Sequence, residues 1–91
     1  MKREEFEAEL RRSNFEFDSG VTPPGYHAAE HAHDRDARGL IMCGQLGITI
    51  AGIERIYNSG ETFSLPAGLS HSERAVGSED IHFVFGYLRE T

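Results

Sequence analysis

The spacing of apolar residues along the chain predicts one short helix followed by a series of short strands. Phe6 and Leu10 are four positions apart within residues 3–12, which places both on one face of a helix whose other positions are mostly charged. Phe15 and Phe17 then alternate with acidic residues, which is the pattern of a half-buried strand. We therefore predict a capping helix over residues 3–12 and a strand that begins at Phe15.

Glycine, proline and polar residues divide the rest of the chain into short segments. The segment Ser19–Gly25 contains two prolines and two glycines and predicts a break in the first strand. Gly52 separates two β-branched runs and predicts a hairpin. Because no helical pattern intervenes, an all-β antiparallel sandwich or barrel is favoured over a parallel α/β sheet. The further predicted strands lie near residues 26–31, 38–43, 46–51, 53–57, 62–65, 70–75 and 80–87.

Length and composition narrow the class of protein. The chain of 91 residues fits one domain, with the helix over 1–13 and a β-domain over 14–91. A net charge of −6 disfavours a nucleic-acid partner, and no run approaches the roughly 20 apolar residues of a membrane helix. The first residues lack the apolar core of a secretory signal, so we expect a cytoplasmic protein. A single cysteine, Cys43, rules out an internal disulfide.

Two of the five histidines stand at a spacing that suits a metal site. His31 and His33 are separated by one residue, so on an extended strand their imidazoles share a face with Cα atoms about 6.5 to 7 Å apart. His27 has the same parity as His31 and would line the same cavity, although a solvated histidine is the simpler interpretation. His82 lies in an alternating aromatic strand and is interpreted as a structural histidine.

Two motifs surround the metal-spaced histidines. The first runs from Gly25 to His33 and reads Gly-x5-His-x-His; the second runs from Gly60 to His71 and reads Gly-x5-Pro-x-Gly-x2-His. Together they resemble the two conserved motifs of the cupin superfamily, except that Ala75 stands where the second motif ends in asparagine. This resemblance implies a single antiparallel jelly-roll barrel with one divalent metal ion, which Fe, Mn, Ni or Zn would satisfy. The metal ligands that it implies are His31, His33 and His71.

The first motif departs from the family at Ala37. The resemblance places a metal-binding glutamate there, and an alanine side chain cannot coordinate a metal. Three alternatives follow: a metal held by three neutral histidines and water, a metal with a fourth ligand from elsewhere, or a degenerate site without metal. Loss of the carboxylate leaves more positive charge on the metal site, which favours an anionic ligand. Among the three alternatives, the three retained histidines favour metal binding over a degenerate site. The candidates for a fourth ligand are His27, Asp34, Asp36 and Glu73.

Other residues near the motifs are expected to surround the site. Glu73 shares a strand face with His71 and is the candidate catalytic acid or base, or a carboxylate that supports the ligands. Arg38 is expected to face away from the cavity and to pair with Asp36. Cys43 is expected to be a buried small hydrophobe. The predicted walls of a substrate pocket are Tyr26, His27, Met42, Phe63, Phe83 and Phe85.

The functional hypotheses follow from the same resemblance. The three-histidine pattern is similar to that of cupins such as thiol dioxygenases and acetylacetone-cleaving enzymes, which implies a metal-dependent dioxygenase or a related small-molecule enzyme. The alternative is a non-catalytic domain that binds or senses a small ligand, with or without metal. We expect a small-molecule partner and no membrane partner. Since many cupins pair through edge strands or exchanged N-terminal strands, the resemblance also implies a homodimer, with Phe15–Asp18 as the candidate strand.

Overall fold

The computed structural model describes residues 1–90 and contains one helix and eight strands. The helix lies where the sequence predicts it, and it is too short to cross a membrane. Every predicted strand from residue 26 onward is present, with each end within one residue of its predicted position. The elements are α1 (Arg3–Arg12), β1 (Phe15–Thr22), β2 (His27–His31), β3 (Ala37–Cys43), β4 (Gln45–Ile50), β5 (Ile53–Tyr57), β6 (Thr62–Leu65), β7 (His71–Val76) and β8 (Ile81–Leu88).

The strands form two four-stranded sheets in which all described pairings are antiparallel. The first sheet has the order β1-β8-β3-β6 and the second has the order β2-β7-β4-β5. The apolar residues that alternate along the strands pack between the two sheets, as expected for a sandwich. The all-β jelly-roll prediction is therefore confirmed. The buried residues between the sheets are Ala37, Ile41, Leu46, Ile48, Phe63, Leu65 and Ile81.

The predicted break at Ser19–Gly25 is wrong for its first half. Strand β1 continues to Thr22, and each of its residues has a partner on β8. Gly20 does not make a turn there; it gives room to Phe83, since a Cβ at Gly20 would lie only 2.8 Å from the end of that ring. The chain turns later, at Gly25, whose φ of 85° is one that glycine adopts without strain. This glycine inside a strand therefore marks a position where the Phe83 ring packs closely against the backbone.

Helix α1 covers the outer face of the first sheet. Phe6 and Leu10 are fully buried there and contact Leu40 and Val84, which point away from the inter-sheet core. Arg38 also points to this outer face, as its parity predicts. Its partner differs from the prediction, because its guanidinium lies 3.5 Å from Glu9 and over the Phe6 ring. The helix thus covers the outer face of the first sheet, and the core between the two sheets is formed by strand residues.

Two local features follow from the turns at the ends of β3 and β4. The predicted hairpin between β4 and β5 is confirmed: Ala51 and Gly52 both have positive φ, as a two-residue type I′ turn requires. At the end of β3, Cys43 is exposed and the prediction of a buried cysteine is wrong. The pairing of β3 with β8 shifts register between Ile41 and Cys43, so the alternation of faces is lost at that point.

Candidate metal centre

The structure brings His31, His33 and His71 together at one end of the second sheet. His31 ends β2 and is the pairing partner of His71, which begins β7, while His33 lies in the segment that leaves β2. The ring centroids lie 4.4 Å apart for His31 and His71, 5.0 Å for His31 and His33, and 5.3 Å for His33 and His71. One ring nitrogen from each histidine lies within 4.8 Å of the others. Three imidazoles at this separation can converge on one ion.

The turn that precedes β7 ties the two histidine segments together. Gly68, with a φ of 81°, donates its backbone N–H to the carbonyl oxygen of His33 at 2.8 Å. Asp36 accepts a hydrogen bond of 2.8 Å from the backbone N–H of Ala67 in the same turn. The turn formed by Pro66 and Gly68 of the second motif therefore has a second role besides leading into β7. Their turn fixes the backbone of the first histidine segment against the second.

His71 has the feature that fits a bound ion best. Its side chain is buried, with 1% of the residue exposed. Its Nδ1 lies 3.1 Å from the carbonyl oxygen of Leu69, whereas its Nε2 is buried without a hydrogen-bond partner among the described residues. An unpaired buried polar atom costs about 1–3 kcal/mol, so such an atom is usually partnered in a folded protein. A metal ion between the histidines would satisfy it.

The other two histidines are also held in ligand-like orientations. His31 donates from Nδ1 to the carbonyl oxygen of Ala29 at 2.7 Å, which leaves the lone pair on Nε2. His33 has its Nδ1 3.5 Å from the hydroxyl oxygen of Tyr87. Partners of this kind on the second ring nitrogen are typical of metal-binding histidines. Three neutral imidazoles suit Fe, Ni, Cu or Zn.

The electrostatics favour a neutral His33. Burial lowers the pKa of the His33 imidazole below its ordinary value of 6.5, and the neighbouring rings of His31 and His71 lower it further. A neutral imidazole keeps the lone pair that a metal ligand needs. His33 therefore fits a divalent ion in charge state as well as in position.

Ala37 lies in the core between the sheets and carries no donor atom toward the cluster. The position for which the motif resemblance implies a carboxylate is thus filled by a methyl group that packs against apolar neighbours. The carboxylate of Asp36, its neighbour in sequence, accepts a hydrogen bond from the backbone N–H of Ala67.

A cavity of about 210 Å³ is lined by neighbours of the histidine cluster, Glu73 near His31 and Phe85 near His33, but by none of the three histidines. Tyr26, Phe63 and Phe83 line it, as does Glu73, whose Oε1 is 3.9 Å from His31 Nε2. Tyr26 donates its hydroxyl to Glu73 at 3.4 Å, and burial together with Glu73 raises the pKa of that phenol. The complete lining is Thr22, Tyr26, Ile41, Leu46, Phe63, Glu73, Ile81, Phe83 and Phe85.

Three residues named from the sequence lie away from this cavity. Met42 packs on the helix side of the first sheet, as the parity of β3 requires. His27 is exposed, because a register shift in β2 between Ala28 and His31 breaks the parity that would align it with His31. His82 is also exposed and pairs opposite Val21 in β1.

Tyr87 is the site residue that the sequence reasoning missed. Its ring centroid lies 5.2 Å from that of His33 and 5.0 Å from that of Phe85. The signal was available, because Phe83, Phe85 and Tyr87 alternate along β8 and therefore share one face. Burial raises the pKa of the Tyr87 phenol, which keeps its proton available for hydrogen bonding.

Comparison with solved structures supports the fold. No protein-family model matches the chain, and no curated protein matches it either. A cupin-2 domain protein from Shewanella frigidimarina is 22% identical with a TM-score of 0.70, over 84% of this chain and 72% of the other.

Two further structures give the same picture. A cupin-2 conserved barrel protein from Salinispora arenicola is 24% identical with a TM-score of 0.74, over 84% of this chain and 64% of the other. The cupin-2 domain of an XRE-family transcriptional regulator from Enterobacter cloacae is 19% identical with a TM-score of 0.72, over 89% and 87%. The two sheets, the three-histidine cluster and these likenesses together show that the chain has the conserved-barrel fold of the cupin-2 proteins.

Proposed function

We propose that this protein is a mononuclear metal-dependent cupin enzyme of the dioxygenase type or a related small-molecule enzyme. His31, His33 and His71 would hold one divalent ion. The observation that carries the proposal is the buried, unpartnered Nε2 of His71, directed among two other histidines. Such an ion would act as a Lewis acid toward a donor atom of the substrate and, if redox-active, would support oxygenation.

The size of the cavity limits the substrate. A volume of about 210 Å³ corresponds to about seven water molecules at the density of the liquid. Its lining is mainly aromatic and aliphatic, which would orient an apolar body by contact. The substrate that fits is a small molecule with an apolar framework.

The charges around the cavity limit the substrate further. No lysine or arginine is among the lining residues of the described chain, so a remote carboxylate or phosphate on the substrate would be buried without a cation. Neutral histidines and at most one carboxylate leave at least one positive charge on a divalent ion, which favours one acidic donor group on the substrate. An enolisable diketone or a simple thiol has both properties.

The experiment is oxygen consumption by the iron-loaded protein with a short-chain thiol or a diketone. His71→Ala is expected to abolish both iron binding and oxygen uptake. The matched control is His27→Ala, which removes an exposed histidine from outside the cluster and should leave both unchanged. A metal-free wild-type protein that stays folded and gains no activity on addition of iron would contradict the proposal.

The second candidate is a ligand-sensing domain. It is favoured by the likeness to the cupin domain of a transcriptional regulator, of which this chain covers 87%. A sensing domain would be stabilised by a small ligand without converting it, whereas an enzyme would release product. Product analysis beside a thermal-shift measurement with the same compound separates the two.

A further inference from the structure

Glu73 brings a carboxylate to the edge of the histidine cluster. Its Oε1 lies 3.9 Å from His31 Nε2, the ring nitrogen that the His31–Ala29 hydrogen bond leaves free for an ion. We infer that Glu73 is the fourth protein ligand of the ion and replaces, from β7, the carboxylate that Ala37 removes from β3. This inference rests on the proposed metal site.

The strand geometry places Glu73 on the required face. It follows His71 by two residues along β7, so both side chains point between the sheets. On the neighbouring strands its pairing partners are Ala28 and Ile48, neither of which carries a polar side chain. The carboxylate therefore has no cross-strand partner on the described neighbours, and it is directed toward the cavity and the histidines.

The charge of Glu73 also requires a partner. Only 18% of its side chain is exposed, and the one hydrogen bond described for it, from Tyr26, is long at 3.4 Å. A carboxylate in such surroundings is costly unless a cation compensates it. Because no lysine or arginine is among the cavity lining in the described residues, the cation within reach is the histidine cluster itself or a divalent ion bound to it.

The alternative fourth ligands are placed less well. Asp36 is held by the backbone N–H of Ala67, and Asp34 is exposed in the segment after His33. His27 is exposed and lies on the other side of the irregularity in β2. Of the four candidates, Glu73 alone is both half-buried and within 3.9 Å of a ring nitrogen of the cluster.

The test is a titration of the metal-free full chain with Co²⁺, followed by calorimetry and by the visible absorption bands of the bound ion. Glu73→Leu keeps an apolar side chain of similar size but offers no donor atom. We expect its Co²⁺ affinity to fall by at least about tenfold. We also expect the absorption bands to shift, because water replaces a carboxylate oxygen on the ion.

A matched control and a second variant accompany this titration. Glu54→Gln removes a carboxylate from the same sheet that is paired with Arg74, and should change neither affinity nor bands. Glu73→Gln keeps the polarity of the side chain and should also shift the bands, which covers the case in which Glu73→Leu fails to fold.

The outcomes distinguish a failure of the Glu73 inference from a failure of the proposed metal site. If wild type binds Co²⁺ and the Glu73 variants show unchanged bands, Glu73 acts from outside the coordination sphere and the inference is overturned, while the three-histidine site stands. If wild type itself binds no Co²⁺, the proposed metal-dependent function fails as well. Weakened binding with shifted bands supports the fourth ligand.

Discussion

At the scale of single residues, Gly39 controls how closely an aromatic wall of the cavity approaches β3. A Cβ at Gly39 would lie 2.2 Å from the Phe63 ring, which is itself buried between the sheets. The Phe63 ring packs against those of Tyr57 and Phe85, with centroids 5.5 Å and 6.0 Å away, which limits the space into which it can shift. The absence of a side chain at Gly39 is therefore a condition for the cavity wall.

We predict that Gly39→Ala lowers the free energy of unfolding by about 1–3 kcal/mol through overpacking. Urea denaturation of wild type and variant measures the change. Gly47→Ala is the control, because a Cβ there meets the carboxylate end of Glu54, an exposed side chain whose displacement costs at most its surface ion pair with Arg74. Equal losses in the two variants would contradict this account of the Phe63 packing.

His33 provides a second prediction, for the metal-free protein. Because its pKa is lower in the folded chain than its ordinary value of 6.5, the unfolded chain takes up the proton first as the pH falls. Stability is therefore full above about pH 6.5 and decreases as the pH falls toward the pKa of folded His33.

Urea midpoints at about pH 7.5 and about pH 5.5 measure this dependence. His33→Gln should lose less stability between the two values than wild type does. An identical loss would show that His33 does not titrate differently in the two states.

The sequence predicted the histidines of the candidate site better than the residues around them. The motif spacing identified the three histidines that the fold brings together, because each spacing encodes a turn or a strand face. It did not indicate that His27 points away, since the register shift in β2 depends on pairing with β7. Tyr87 was missed although the alternation along β8 placed it on the same face as Phe83 and Phe85; that this face meets His33 depends on how the two sheets pack.

At the scale of elements, α1 is held by a small number of buried contacts. Phe6 and Leu10 are fully buried against the outer face of the first sheet, and Phe15 joins them at the start of β1. A helix of this length is marginal in water by itself, so its stability comes from this docking.

Phe6→Ala is predicted to lower the free energy of unfolding by about 3–5 kcal/mol, because it leaves a cavity under the helix. Denaturant unfolding followed by circular dichroism checks the value. Glu5→Ala, at an exposed position of the same helix, should change it little. A Phe6→Ala loss as small as that of the control would show that the helix does not dock as described.

The strands also show which structural features local sequence patterns can predict and which they cannot. The hairpin at Ala51 and Gly52 was predictable, since a two-residue turn fixes its own pairing. The continuation of β1 through Gly20 was not, because that glycine is required by the Phe83 ring on the neighbouring strand. Likewise, the exposure of Cys43 follows from a register shift between strands and has no signal in its apolar sequence neighbours.

At the scale of the whole molecule, the fold places a small apolar cavity beside three histidines and one carboxylate. The net charge of −6 lies mostly on other surfaces, and Glu73 is the one charged residue in the described cavity lining. The homodimer through Phe15–Asp18 stays a prediction. Light scattering during size-exclusion chromatography tests it, and a monomer at high concentration would contradict it.

The central claim, a metal site on His31, His33 and His71, is tested most directly by calorimetric titration of the metal-free protein with Zn²⁺. We predict saturation at one ion per chain and an affinity that falls by at least about 100-fold in His71→Ala, with His27→Ala equal to wild type. At a free Zn²⁺ concentration 100 times the dissociation constant, the ion should stabilise the fold by about 2.7 kcal/mol. The absence of saturable binding, or an equal affinity in His71→Ala, would contradict the claim.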